Sequence, residues 1–171
     1  MRIYNGRVAS SHAVNWKWER GEATTEADFG DPVNGSTNYR LCVYDETGGT
    51  PQLVIEAQAP AGGICPGGVP CWYSTRAGYL YYVYDKTAAA DGLVRLILQP
   101  TTDRRQAKIV VRGVTTDLLM YGPVNSEQLL SQDTALTLQL LRDDSPICWE
   151  SVFTAPATRN NSTRFSDMFR P

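Results

Sequence analysis

Histidine is nearly missing from these 171 residues, with His12 the single one. A Ser–His or Cys–His nucleophilic pair therefore has one candidate base, and it lies ahead of the first strand-like stretch. There is no Gly-x-Ser-x-Gly to form a nucleophile elbow. Long apolar runs are missing too. Nothing approaches the length of a membrane-crossing helix, and Met1–Ala13 has no apolar centre of a secretory leader. Runs of one charge are also lacking: 16 Lys and Arg stand against 18 Asp and Glu, for a net charge of −2. The densest basic point is Arg104-Arg105, inside one polar turn, so no duplex-binding surface and no nucleic-acid partner are expected. These absences together predict a protein that is not an enzyme.

What is present is short alternation with punctuation. Val14, Trp16 and Trp18 alternate with Asn15, Lys17 and Glu19, the period of a half-buried strand. Tyr39, Leu41 and Val43 do the same against Arg40, Cys42 and Tyr44. Residues 52–59 predict a third strand with Leu53, Ile55 and Ala57 inward. Residues 72–75 and 78–84 read as a hairpin whose second arm is apolar or aromatic on both faces. Further strands are expected over 94–99, 108–112, 134–141 and 147–153, with 115–133 a long, weakly patterned connection. Between the first two strands, Phe29 is the one large apolar residue of a polar loop and is expected to anchor it. The sum is an all-β chain, an antiparallel β-sandwich of eight to nine strands with no long helix. Residues 1–13 are expected as a flexible segment, 14–154 as the sandwich and 155–171 as a tail. In the tail, Phe165, Met168 and Phe169 share one helical face, which predicts a single capped turn from Asn161 or Ser162.

Pro60–Trp72 interrupts this pattern. Four glycines and three prolines in that stretch forbid helix and regular strand. Something must hold so free a loop, and Cys65 and Cys71 at its centre are spaced for a local disulfide. The four cysteines fit no zinc spacing. With Cys65 and Cys71 joined, Cys42 and Cys148 remain for each other, which predicts their strands side by side. Two disulfides imply an oxidising compartment, extracellular or at the cell surface. With no leader at Met1, the chain is expected to be part of a longer exported protein.

Several stretches also carry a family likeness: Leu-Cys-Val-Tyr-Asp at 41–45, Pro-Ala-Gly-Gly at 60–63, Pro-Cys-Trp at 70–72, Asp-Gly at 91–92 and Cys-Trp-Glu at 148–150. Trp-Lys-Trp at 16–18, with Gly-Glu-Ala-Thr-Thr and Asp-Phe-Gly-Asp-Pro before residue 33, extends it. Over about Trp16 to Phe165 the chain resembles an uncharacterised cysteine-containing module of exported bacterial proteins, chiefly myxobacterial ones, often at the C-terminal end of larger chains. The resemblance implies export and modularity. It implies no activity, so no residue inherits a catalytic role.

The aromatics are the functional lead. Trp16, Trp18, Tyr73, Tyr79, Tyr81 and Tyr82 fall on three strands, and an exposed row of rings suits the apolar faces of sugars. The same residue types also fill cores, and that alternative stays open. Trp72 and Trp149 each follow a cysteine and are expected beside disulfides. Val-Tyr-Asp recurs at 43–45 and 83–85, each followed two residues later by Thr47 or Thr87. No metal or cofactor is expected; a calcium site would draw on Asp85 and Asp91, though turn-capping is the commoner role of such residues. The first functional reading is a non-catalytic extracellular module that binds polysaccharide. A second is a structural subunit of a fibre or surface assembly, contacting copies of itself through its terminal segments. A third is a passive spacer or sorting domain.

Overall fold

A computed structural model of the chain describes residues 1–8, 11–85, 90–103, 106–114, 118–120 and 122–168. Thr87, Arg104, Arg105 and Phe169 lie outside the described residues. Two antiparallel sheets carry the fold. The larger has eight strands in the order β14 (Arg159–Asn161), β15 (Arg164–Ser166), β1 (Arg2–Tyr4), β2 (Ala13–Gly21), β10 (Ala107–Val114), β9 (Leu93–Gln99), β8 (Gly78–Tyr82) and β7 (Trp72–Thr75). The smaller has five, in the order β11 (Leu119–Met120), β4 (Thr50–Ala59), β3 (Tyr39–Thr47), β12 (Ala135–Arg142) and β13 (Cys148–Thr154). A ribbon of β5 (Ile64–Cys65) and β6 (Val69–Pro70) stands apart.

Alternation explains how the two sheets meet. Val14 and Trp16 of β2, Ile109 and Val111 of β10, and Leu96 and Leu98 of β9 point inward. They share one apolar core with Leu41 and Val43 of β3 and with Leu136, Leu138 and Leu140 of β12. Trp16 Nε1 donates to Ser151 Oγ of β13 at 3.1 Å, so one core-facing polar atom of each sheet satisfies the other. Trp72 packs between Tyr39 and Tyr81, with ring centroids 5.7 and 5.2 Å away. Each such ring removes about 200 Å² from water, on the order of 5 kcal/mol before entropy is counted.

The loop ahead of β3 is anchored as its lone large apolar residue predicts. Thr25 and Asp28 form a reciprocal capping box that starts a one-turn helix, α1 (Glu26–Phe29). Phe29 is buried and stacks on Trp149 at 4.8 Å. Tyr39 donates its hydroxyl proton to the Phe29 carbonyl, and Arg142 Nη1 donates to the carbonyls of Ala27 and Asp28.

Four expectations need correction. Cys42 and Cys148 are free thiols, the first buried and the second exposed. Strand β12 lies between their strands: Cys42 stands opposite Gln139, and Gln139 opposite Glu150, two residues from Cys148. Two ladder spacings and two residues of rise separate the cysteines by about 12 Å, against a limit of about 7 Å for a bridge. Leu53 is 39% exposed rather than inward, because a bulge opposite Val43 and Tyr44 inserts Val54 and turns the strand over. Among its described residues, the tail has no helical turn. Asn161 Oδ1 accepts from the backbone nitrogens of Thr163 and Arg164, closing a hairpin turn between β14 and β15 that buries Phe165 and leaves Met168 exposed. The terminal segments 1–13 and 155–171, expected as loose ends, meet each other through their described residues. Strand β1 pairs with β15 on one side and β2 on the other, Ile3 is fully buried, and the Met1 ammonium donates to the Asp167 carbonyl at 2.6 Å. A three-residue strand is too short to show a period, so only its two partners reveal it.

Candidate functional site

The sheet divides the six candidate aromatics. Trp16, Tyr79 and Tyr81 point into the core, Trp16 with 1% of its surface exposed, and a sugar ring has no access to them. Burial pushes the phenols of Tyr79 and Tyr81 up to about 12, with Glu26 adding to the shift at Tyr79 and Asp91 at Tyr81. Trp18 is half-buried on the same inner side. Its ring lies on Gly21, where an added Cβ would fall 1.9 Å from it. Tyr73 is half-buried, whereas Tyr82 points outward with 41% of its surface exposed and meets Tyr84 edge to face at 6.2 Å.

The glycine-rich loop forms the expected Cys65–Cys71 disulfide, with Cα atoms 5.1 Å apart. Trp72 Nε1 donates to the Pro60 carbonyl at 2.8 Å, and Gly62 N donates to the Pro32 carbonyl at 2.7 Å, so the loop is tied at its base. Trp72 follows the bridge into the core. Trp149 has no bridge beside it and packs on Phe29 instead.

The two Val-Tyr-Asp copies differ. Asp45 is buried and accepts from the backbone nitrogens of Ser131 and Gln132 at 2.6 and 2.7 Å; burial pushes its carboxyl upward. Asp85 is exposed. The cleft beside Asp45, about 100 Å³ and lined largely by Ile3, Val54, Ile55, Leu129 and Leu130, is well below the size of ordinary ligand pockets. Among the described residues, Asp85 and Asp91 belong to no group of three or more metal-ligating side chains.

The outer face of the large sheet carries the arrangement that the linear sequence conceals. Directly paired positions run Tyr82 to Arg95, Arg95 to Arg112, Arg112 to Asn15, Asn15 to Arg2, Arg2 to Ser166 and Ser166 to Arg159. Paired residues of antiparallel strands share a face, so these seven side chains form one unbroken row across seven strands. Four of them are arginines, all exposed, and none makes an ion pair or side-chain hydrogen bond among the described residues. Arg164 and Tyr4 lie along one side of the row, and Lys17, Val110, Ile97 and Leu80 along the other. The one carboxylate on the outward positions of these strands is Glu19, and Lys108 already holds it at 3.2 Å. The opposite outer face is different: there Arg40 pairs with Glu56 at 3.3 Å, and Gln139 donates to Glu150 at 2.7 Å. A chain of net charge −2 thus presents one face whose guanidinium groups are uncompensated among the described residues.

Chemically, the row offers forked donors for carboxylate, sulfate or phosphate. Asn15 and Ser166 add hydrogen-bonding groups, and Tyr82 adds a ring at one end. Scanning for clustered Lys and Arg misses it because the four arginines come from four distant strands. Placed against known proteins, the chain matches no family model, no curated protein and no solved structure.

Proposed function

We propose that this protein is a non-catalytic β-sandwich module that binds glycan on the outer face of its eight-stranded sheet, outside the cell or at its surface. The observation that carries the reading is the open row from Tyr82 to Arg159, in which hydrogen-bonding side chains and an exposed ring stand uncovered on a rigid sheet. The Cys65–Cys71 disulfide supports an oxidising compartment. The fibre-subunit reading rests on free terminal segments, whereas residues 2–4 and 164–166 are taken up as β1 and β15 within the sheet. Among the described residues no helix is long and apolar enough to cross a membrane.

The test is a titration against a panel of neutral and acidic polysaccharides, followed by backbone amide shifts. Saturable binding that perturbs β8, β9, β10 and β2 at their outward residues is the expected result. No saturable binding to any member of the panel would sink the proposal.

A further inference from the structure

Resting on that reading, we infer that the glycan is an acidic polysaccharide, bearing uronate or sulfate groups, that lies across the strands along the row from Tyr82 to Arg159. Three observations lead there. The first is the cost of the row. Arg95 stands directly opposite Arg112, and like charges so placed destabilise a sheet. No described carboxylate relieves them, and Glu19 is engaged with Lys108. An anionic ligand compensates that charge where the protein does not.

The second is spacing. Neighbouring strands advance by about 4.8 Å, close to the advance of one sugar along an extended polysaccharide. The row therefore presents a donor side chain at nearly every residue of such a chain. Its anionic groups meet Arg95, Arg112, Arg2 and Arg159, while Asn15 and Ser166 reach the hydroxyls between. Lys17 and Arg164 flank the row and widen the field on either side.

The third is what the row is poorly shaped for. Sheet twist turns successive strands by roughly 20–25°, so a straight duplex leaves the row after a few strands, while a linear glycan follows it. Single-stranded nucleic acid is held by successive aromatic platforms, and within the row Tyr82 is the single ring.

The experiment measures binding of the whole chain to polygalacturonate, heparin, neutral xylan and polyuridylate, at about 50 and about 200 mM salt. The variants are the double substitution R95Q/R112Q, its charge-keeping counterpart R95K/R112K, and Arg40→Gln on the opposite face. Circular dichroism and thermal melts confirm that each is folded. Expected are saturable binding to an acidic glycan, weakening of roughly tenfold or more across that salt range, a loss of similar size in R95Q/R112Q, partial retention in R95K/R112K, and no change in Arg40→Gln. Xylan binding without salt dependence would overturn the acidic assignment and leave the glycan reading standing. Acidic-glycan binding untouched by R95Q/R112Q would move the site elsewhere. Preference for polyuridylate would replace the ligand class. Failure of every polymer would overturn both.

Discussion

Arg95 and Arg112 face each other across the β9–β10 ladder, side chains outward, with no carboxylate beside them among the described residues. A sheet selected for stability alone would place a Thr or Glu at one of them. Arg112→Thr is therefore expected to leave folding stability unchanged or to raise it by up to about 1 kcal/mol at low salt. Salt screens exposed charges over about 10 Å at 0.1 M, so the gain should shrink as salt is added. Urea unfolding at two ionic strengths checks it, and a clear loss of stability would refute the claim that the pair is repulsive.

The cysteines separate into three kinds of behaviour. Unfolded but unreduced, the chain should yield two reactive thiols, those of Cys42 and Cys148. Native protein should yield one promptly, because Cys148 is exposed, while Cys42 is 3% exposed and burial raises its thiol pKa. Thiol titration with mass mapping decides it. Finding four thiols would contradict the Cys65–Cys71 bridge, and a 42–148 bridge would contradict the strand order.

The Cys65–Cys71 bridge closes a loop of six residues' separation, for which chain entropy allows at most about 2 kcal/mol. The double substitution C65S/C71S should lower stability by no more than that, and amide exchange should quicken at β5 and β6 while β12 stays protected. Global unfolding in this variant would show the bridge to be essential to the fold.

Trp18 covers Gly21 so closely that a methyl group there collides with the indole. Gly21→Ala should cost about 1–3 kcal/mol, the usual toll of overpacking, and shift the emission of the half-buried tryptophan. A silent substitution would mean the ring swings aside freely.

Acid should weaken the junction between α1 and the sheet. Arg142 Nε donates to Asp144 Oδ1 and Thr37 Oγ1 to Asp144 Oδ2, both at 2.7 Å, and these bonds hold the Asp144 carboxyl at about 2, below its ordinary 3.8. A lowered folded-state pKa stabilises above the unfolded value, and that contribution fades as pH falls from about 4 to about 2. Asp45 runs the other way, since burial raises its pKa and its protonation favours the folded state. Asp144→Asn should cost about 0.5–1 kcal/mol near neutral pH and much less near pH 2. Equal effects at both pH values would remove Asp144 from the acid response.

Much of the local architecture is legible in the sequence. The alternation in β2 and β3 predicted which side chains point inward, and lone Phe29 predicted an anchor. Gly and Pro around Cys65 and Cys71 predicted a stapled loop. The short helix α1 was not expected: its single turn carries no period, and the Thr25–Asp28 capping pair is its one local mark. The candidate site was another matter. Of the six aromatics proposed for a ligand, Tyr82 alone stands fully outward, because Trp and Tyr serve a core as readily as a surface.

Period two tells each side chain which face of its strand it occupies, and it does so from a few neighbours along the chain. It carries no record of which strand comes next. Inserting β12 between β3 and β13 parted Cys42 from Cys148, and bringing β1, β2, β9, β10 and β14 into one sheet aligned Arg2, Arg95, Arg112 and Arg159. Strand order and register come from burying all the inward faces together, a sum over contacts between distant segments. A row of arginines and a missing disulfide are two results of that one non-local choice.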